Sequence, residues 1–258
     1  MEIFDSHAHY DSGAFDGDRD ALLTALPAKG VCGVINCADT VESAKRSAAL
    51  CDKYPFMYMA AGVHPENAAD IDAAALEAEL APFLALPKTV AVGEIGLDYY
   101  WEDACPRDKQ LEVFETQLQI AQKFDLPVIV HDREAHADTV RLLRQYRPRG
   151  VVHCFSGSVE TMKEIISLGM YIGLGGVVTF KNARVPLEVA AAVPLDRLLS
   201  ETDAPYMAPV PYRGKRCDSS LIPFAAEKIA AIRGLTAEEI LQMTAENART
   251  LFKIKKTR

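Results

Sequence analysis

Short apolar runs alternate with amphipathic segments along the whole chain, and this alternation constrains the fold more than any other feature. Apolar runs that are too short to be helices predict eight strands, at residues 3–4, 31–36, 56–61, 89–93, 126–130, 151–152, 170–172 and 197–199. Segments with helical spacing of apolar residues follow them, and two more helical segments come after the last strand. The run 89–93 is apolar throughout its middle, as a strand covered on both faces should be.

Eight strand–helix units in 258 residues are typical of a (β/α)8 TIM barrel, an α/β fold of about this length. No linker, repeat or shift in composition divides the sequence, so we predict a single TIM-barrel domain over residues 1–258. Two domains of half this length, or one open doubly wound sheet, are the alternatives. The open sheet is disfavoured because no Gly-x-Gly-x-x-Gly motif follows the first strand.

Composition limits the partners that this chain can have. A net charge of -8 argues against nonspecific coating of DNA, although two bound divalent metals would add about four positive charges locally. No apolar run approaches the ~20 residues that span a bilayer. The N-terminus does not resemble a signal peptide, and six scattered cysteines without a Cys-x-x-Cys pair favour free thiols. We therefore expect a cytoplasmic protein that does not contact a membrane.

Side chains that bind metals collect where the predicted strands end. Five of the six histidines lie in the segments that end the predicted strands, and they are His7, His9, His64, His131 and His153. Glu94 follows the fourth strand and Asp203 the eighth, whereas His136 falls in a helix and is expected at the surface. The carboxyl ends of all strands in a βα barrel share one face, where the active sites of such barrels lie. The sequence therefore predicts a polar site on that face.

The residue types of this site suit two divalent metals. His7 and His9 lie two apart in an extended segment, so both imidazoles point to one face, and neutral imidazole is a common ligand of zinc. With Asp203 they suit one metal.

His131 and His153 suit a second metal, and Glu94 has two oxygens with which to bridge the pair. A plainer alternative for Glu94 and Asp203 is a salt bridge with a cation from the loops, either Arg133, Lys181 or Arg213.

The motifs at these strand ends resemble those of one enzyme family. The segments that carry the resemblance are Asp5–His9, Gly62–Pro65, Gly93–Tyr100, Pro127–Ala135, His153–Gly157, Glu201–Tyr206, Arg213–Arg216 and Asn247–Ala248. In order and over nearly the whole chain, they are similar to the TatD family of metal-dependent deoxyribonucleases, which have an amidohydrolase-like barrel. The resemblance implies metal ligands at His7, His9, Glu94, His131, His153 and Asp203, and a phosphate contact at His64.

The sequence departs from the family pattern in two loops. Trp101-Glu102-Asp103 stands where the family commonly has an arginine after the paired tyrosines, and Cys217-Asp218-Ser219-Ser220 replaces an Asn–acidic–Pro segment. Both loops are expected to border the site, so the departures affect the substrate contacts rather than the metal centre.

The predicted activity is hydrolysis of phosphodiesters by a metal-activated water. Single-stranded or recessed DNA ends suit a barrel mouth better than intact duplex, and the resemblance to the TatD family implies a 3'-5' exonuclease. Asp203 or Glu94 is the candidate proton acceptor, and His64 would bind a phosphoryl oxygen or assist the leaving group. The candidate substrate contacts are His64, Tyr100, Trp101, Arg133, Arg213, Lys215 and Arg216, with Tyr206 as a further stacking residue.

Several choices stay open at this level. The metals are two divalent ions, zinc, manganese or magnesium, and the oligomeric state, including a monomer, is not fixed. A metal-dependent ester or amide hydrolase, such as an aminoacyl-tRNA deacylase or a small-molecule amidohydrolase, is the alternative activity, because barrels of this kind support many chemistries. A role in binding without turnover is the second alternative.

Overall fold

A computed structural model of the chain describes residues 2–101 and 105–256, and it confirms the predicted (β/α)8 TIM barrel. Eight parallel strands pair in sequence order from the first to the eighth. They are β1 (Ile3–Ala8), β2 (Val31–Cys37), β3 (Met57–Ala61), β4 (Thr89–Asp98), β5 (Val128–Arg133), β6 (Gly150–Val152), β7 (Tyr171–Leu174) and β8 (Leu198–Ser200). Each predicted strand is present, but β1 and β4 continue four and five residues further than predicted.

Helices surround the sheet in the described part of the chain. They are α1 (Arg19–Ala25), α2 (Val41–Lys53), α3 (Leu76–Leu84), α4 (Arg107–Lys123), α5 (His136–Tyr146), α6 (Val159–Ser167), α7 (Arg184–Ala192), α8 (Ile222–Arg233) and α9 (Ala237–Leu251). Local sequence sets several of their ends. Thr236 and Glu239 form a reciprocal capping box at the start of α9, and Gly234 ends α8 in the left-handed region. None of the described helices is long and apolar enough to cross a membrane.

The interior of the barrel is filled by one apolar side chain from each strand. This layer consists of Phe4, Ile35, Ala60, Ala91, Ile129, Val151, Tyr171 and Leu199. Helix α9 adds Ala248 and Leu251 to the same cluster, and Phe252 directly after it also belongs there, so this end of α9 covers the lower end of the barrel. The polar site must therefore lie above this layer, toward the carboxyl ends of the strands.

The last and first strands are joined through the segment that follows β8. Ala8 and Ala204 form a parallel bridge, the His9 N–H donates to the Ala204 carbonyl at 2.7 Å, and the Asp203 N–H donates to the His7 carbonyl at 2.9 Å. These bonds close the barrel and place Asp203 beside His7 and His9.

Strand periodicity explains the position of two candidate ligands. Side chains two apart in a strand share a face, and Ile129 and Val151 both point into the barrel. His131 lies two residues after Ile129 in β5, and His153 lies two residues after Val151, directly after β6. Both side chains therefore also point into the barrel. Asp203 lies beyond β8 and has a φ of 64°, so its position follows from its hydrogen bond to the His7 carbonyl rather than from strand alternation.

His7 and Glu94 have the opposite parity to the inner residues Phe4 and Ala91 of their strands. The pairing of β1 with β2 shifts register between Asp5 and Ala8, and that of β4 with β5 shifts between Val92 and Ile95. Such irregularities rotate side chains relative to the regular alternation. Each shift contains the ligand whose side chain is turned inward. With these irregularities, β1 and β4 continue past the polar residues at which the apolar pattern predicts their ends.

Candidate metal centre

The carboxylate of Glu94 lies at the middle of the site and is almost fully buried. Its Oε2 atom is 3.2 Å from Nε2 of both His7 and His9, and these two nitrogens are 3.0 Å apart. Asp203 Oδ1 is 3.7 Å and 3.5 Å from the same two nitrogens. One oxygen of Glu94 thus belongs to a group with His7, His9 and Asp203.

The other oxygen of Glu94 faces a second group of imidazoles. Glu94 Oε1 lies 2.7 Å from His153 Nε2, 3.0 Å from His131 Nδ1 and 3.5 Å from His64 Nε2. The His131 and His153 nitrogens are 3.3 Å apart. The two oxygens of a single carboxylate therefore divide five imidazoles into two sets.

Hydrogen bonds on the far side of each ring fix which nitrogen has a lone pair for a metal. His9 Nδ1 is 2.8 Å from the carbonyl of Cys37, which can only accept, so Nδ1 carries the proton and Nε2 is free to bind. His131 Nε2 is 3.0 Å from Asp98 Oδ2, which leaves Nδ1 for the centre.

His64 has the opposite arrangement. Its Nδ1 accepts the N–H of Glu66 at 3.2 Å, so the neutral ring carries its proton on Nε2, the atom that faces Glu94. Burial lowers the pKa of His64 to about 3, which keeps the ring neutral. Geometry alone would also allow a metal among His64, Glu94 and His131, but this tautomer makes His64 a hydrogen-bond donor rather than a ligand.

His7 and His153 stack face to face between the two groups, with ring centroids 3.7 Å apart and planes 6° apart. Their Nδ1 atoms are buried without a hydrogen-bond partner in the described residues, while both Nε2 atoms face Glu94. Burial, aided by the neighbouring His153, lowers the pKa of His7 to about 4. The His7 ring is therefore neutral and can offer a nitrogen lone pair to a metal, as metal coordination requires.

The carboxylates are held in their charged form. Burial opposes their ionisation, but the imidazoles of His153 and His7 hold the pKa of Glu94 well below its usual range. The hydrogen bond from His9 likewise lowers the pKa of Asp203 against the effect of burial. Burial also disfavours a charged His131, yet hydrogen bonds to Asp98 and Glu94 raise its pKa to about 10. Without metal, protons on imidazoles such as His131 balance the negative charge of the carboxylates. A bound cation would displace these protons.

This donor set fits divalent metals. Four imidazole nitrogens and two ionised carboxylates converge in a buried space, and groups of three potential ligands lie within 4.8 Å of one another. Among the residues that the structure describes, no lysine or arginine forms an ion pair with Glu94 or Asp203, so the alternative of ordinary salt bridges to the loops is not found. The residues that would hold metal are His7, His9, Glu94, His131, His153 and Asp203.

A network of buried hydrogen bonds supports the strand that carries His7. Asp5 Oδ1 accepts the backbone N–H groups of His7 and Thr202, and Oδ2 accepts the hydroxyls of Thr202 and Ser219 at 2.7 Å and 2.6 Å. Ser219 belongs to the segment that departs from the family pattern, and it also bonds the hydroxyl of Tyr10. This loop thus anchors β1 beneath the centre, a role that the sequence analysis did not foresee.

Asp98 is a second residue that the sequence analysis missed. It ends β4 and is buried beside His131. The rule that selected Glu94, a polar residue where a strand ends, applies equally to Asp98, but it was applied only at residue 94 because the strand was ended at 93.

Aromatic and basic side chains lie at the mouth of the barrel. Tyr100 and Trp101 are 52% and 51% exposed. The guanidinium of Arg133 lies over both rings, at 3.8 Å and 5.7 Å from their centroids. We call these three residues the aromatic platform; its two rings follow the end of β4, and Arg133 ends β5. Glu102 and Asp103 of the atypical loop lie outside the described residues.

The second group of predicted contacts is on the loop after β8. Arg213 packs over Phe180 at 4.2 Å, Lys215 lies 6.0 Å from the ring of Tyr212, and Tyr206 is exposed. Arg216 is turned elsewhere: both of its terminal nitrogens bond the carboxylate of Asp18, at 2.7 Å and 2.6 Å. The structure therefore does not bring Arg216 to the centre, because Asp18 satisfies its charge.

The remaining histidine and the cysteines behave as predicted. His136 begins α5 and is partly exposed, with Nδ1 2.7 Å from Asp132 Oδ2. All six cysteines are free.

A site of imidazoles and carboxylates at the upper face of a parallel barrel defines a metal-dependent hydrolase, and comparisons with known proteins agree. The chain is 40% identical over 98% of its length, and 99% of the relative's, to a protein of Bacillus subtilis named as an uncharacterized metal-dependent hydrolase, YabD. It is 33% identical over 98% of its length, and 99% of the relative's, to a Salmonella typhimurium protein named 3'-5' ssDNA/RNA exonuclease TatD.

The fold comparison gives the same class. The crystal structure of YjjV, a TatD homologue from Escherichia coli, superposes with a TM-score of 0.90 at 34% identity, and 98% of each chain is covered. Residues 4–253 match the family described as TatD related DNase, so the chain belongs to the TatD family.

Proposed function

We propose that this chain is a 3'-5' exonuclease that hydrolyses phosphodiester bonds at single-stranded or recessed DNA ends with two divalent metals. The observation that carries the proposal is the division of the centre by Glu94, whose Oε2 faces His7 and His9 while Oε1 faces His131 and His153. Two divalent cations held there would lower the pKa of water and offset the charge on the transferred phosphoryl group.

Asp203 is the better candidate for the residue that accepts the proton from the attacking water. Its side chain is 16% exposed, against 4% for Glu94, and within the described residues its ion pairs with imidazoles use Oδ1 alone. Both oxygens of Glu94 face imidazoles, so this carboxylate is occupied on each side. Asp203 therefore combines contact with the centre and access to solvent.

His64 has the geometry of a phosphoryl-binding residue. Its protonated Nε2 points to the centre from a ring that stays neutral, so it can donate a hydrogen bond to a nonbridging oxygen without competing for a metal. A neutral ring with this tautomer is a donor to developing negative charge rather than a strong acid for the leaving group.

The mouth favours a nucleic-acid strand over a small ester or amide. Tyr100 and Trp101 present exposed rings on which an unpaired base can stack, and Arg133 adds positive charge at the same place. On the opposite side of the barrel, Arg213 and Lys215 can contact flanking phosphates. The Salmonella relative's name supports the same substrate class and adds single-stranded RNA to it.

The test is degradation of end-labelled single-stranded DNA, duplex DNA with recessed ends and single-stranded RNA, in zinc, manganese and magnesium, by the wild type and by Asp203→Asn. We expect stepwise release of a 3' label as mononucleotides with a 5' label retained on shortening strands. Asp203→Asn, purified identically, excludes contaminating nucleases. Absence of cleavage with every metal would overturn the proposal, and a parallel assay that finds turnover of carbon esters or amides would favour the alternative activity.

A further inference from the structure

Asp98 uses its two carboxylate oxygens for two different parts of the site. Oδ2 lies 3.0 Å from Nε2 of His131, on the side of the ring away from Glu94. Oδ1 accepts the backbone N–H of Tyr100 at 2.9 Å and that of Trp101 at 3.4 Å. One buried side chain therefore contacts both a metal-binding imidazole and the turn that carries the aromatic platform.

The backbone of Asp98 is itself held in place. Its N–H donates to Gln110 Oε1 at 2.8 Å, and its carbonyl accepts from Gln110 Nε2 at 2.8 Å, so α4 clamps this residue on both sides. Across the sheet it pairs with Arg133, the cation of the aromatic platform. Because the main chain of Asp98 is fixed, its short carboxylate directly links the ring of His131 to the turn that carries Tyr100 and Trp101.

We propose that Asp98 is a positioning residue that fixes the ring of His131 for the metal on that side of Glu94 and couples occupancy of this position to the conformation of the aromatic platform. A carboxylate that accepts the N–H of a metal-binding histidine, at the ring nitrogen that does not bind the metal, orients the ring and fixes its tautomer. The other oxygen transmits the constraint to Tyr100 and Trp101. This inference rests on the proposed two-metal function.

The substitution Asp98→Asn separates the two tasks. Asn keeps an oxygen that can accept from the turn, but its NH2 group cannot accept the proton on His131 Nε2. His131 would then carry its proton on Nδ1, the nitrogen that faces Glu94, and could not bind metal there. Asp98→Ala removes both contacts, so the two variants distinguish loss of the metal position from loss of the turn.

Binding of Zn²⁺ to the metal-free full-length chain, measured by titration calorimetry and by metal content, tests the first task. We expect two Zn²⁺ per wild-type chain, and in Asp98→Asn an affinity for one of them that is about 10- to 100-fold weaker. Any loss of cleavage in this variant should recover in excess metal, which a merely structural defect would not do. Asp132→Asn is the matched control, since Asp132 also bonds a histidine, His136, that lies outside the centre.

The fluorescence of Trp101 tests the coupling, because it is the only tryptophan in the chain. Zn²⁺ does not quench indole, so a change in emission that follows either equivalent of Zn²⁺ in the wild type reports a change at the platform. We expect this step to be absent from Asp98→Asn and Asp98→Ala and to persist in Asp132→Asn. The wild-type measurement needs no variant and stands even if Asp98→Ala does not fold.

Equal affinity of the wild type and Asp98→Asn for two Zn²⁺ would overturn the role of Asp98 in positioning His131. Wild-type emission that is indifferent to both equivalents would overturn the coupling. A wild-type chain that binds a single Zn²⁺ would contradict the two-metal proposal instead. Two bound Zn²⁺ with an emission step, but no DNA cleavage, would contradict the nuclease activity and leave the inference about Asp98 intact.

Discussion

The metal centre and the loops at the barrel mouth differ in how their side chains are held. In the centre, Glu94 lies within 3.5 Å of five imidazoles, and the far side of His9 and His131 is fixed by Cys37 and Asp98. At the mouth, Tyr100, Trp101 and Tyr206 are about half exposed, and the cations nearby contact mainly aromatic faces.

The difference indicates a division of labour. Buried donors that constrain one another fix the positions of metals and reacting atoms, and small displacements there are costly to catalysis. Exposed rings and flexible cations bind bases and phosphates with modest energies that depend on salt. Substitutions in the centre should therefore change kcat and metal content, whereas substitutions at the mouth should change KM and the dependence on salt.

The largest effect is expected from Glu94→Gln. The amide keeps the size of the side chain but removes the charge that two cations would share. The loss of several kcal/mol of charge stabilisation corresponds to a fall of at least about a thousandfold in the rate of DNA cleavage. Metal content should fall from two ions per chain. A variant that keeps both ions and the wild-type rate would contradict the bridging role.

His64→Ala should lower kcat by about 10²–10³, the effect of losing one donor to a developing negative charge. Its metal content should equal that of the wild type, because the His64 tautomer presents a proton to the centre. His131→Ala is the matched comparison and should lose one metal. Loss of a metal from His64→Ala would show that His64, like His131, is a metal ligand.

Trp101→Ala should raise KM for single-stranded DNA by about tenfold and leave kcat within about twofold. This is the lower part of the range for loss of one stacked base, about 1–3 kcal/mol, as suits a half-exposed ring. Trp101→Phe should recover most of the affinity. A large fall in kcat at saturating substrate would instead place Trp101 within the catalytic machinery.

The smallest effects are expected from single cations on the loop after β8. Arg213→Gln and Lys215→Gln should each reduce the slope of log affinity against log salt by about 0.7, the contribution of one phosphate contact on a single strand. Arg216→Gln should leave the slope unchanged, because Asp18 already binds both terminal nitrogens of Arg216. A reduced slope in Arg216→Gln would show that this ion pair opens when DNA binds.

The barrel and most of its centre could be predicted because they depend on periodicity. The alternation of side chains along the strands gives the apolar layer inside the barrel. It also puts His131 and His153, two positions beyond that layer, on the inner face. His7 and Glu94 violate that alternation, and their residue types and positions at strand ends identify them as candidates instead. The register shifts that turn them inward depend on pairing with β2 and β5, which no local pattern in β1 or β4 reveals.

The surroundings of the centre were harder to predict. Asp98 was missed because the apolar run predicts a strand that ends at residue 93, whereas β4 continues to residue 98. The partner of Arg216 is Asp18, which is 198 positions away in the sequence. The family motif predicts a substrate contact for Arg216, because no local pattern indicates this ion pair. Contacts of exposed side chains depend on how distant loops meet.

Anomalous diffraction from crystals of the zinc-loaded chain tests the central claim most directly. We expect two zinc peaks, one beside Glu94 Oε2 with His7, His9 and Asp203, and one beside Glu94 Oε1 with Nδ1 of His131 and Nε2 of His153. Each metal–ligand distance should be about 2.0–2.2 Å. A single peak, or two peaks with Glu94 bound to neither, would contradict a two-metal centre bridged by this carboxylate.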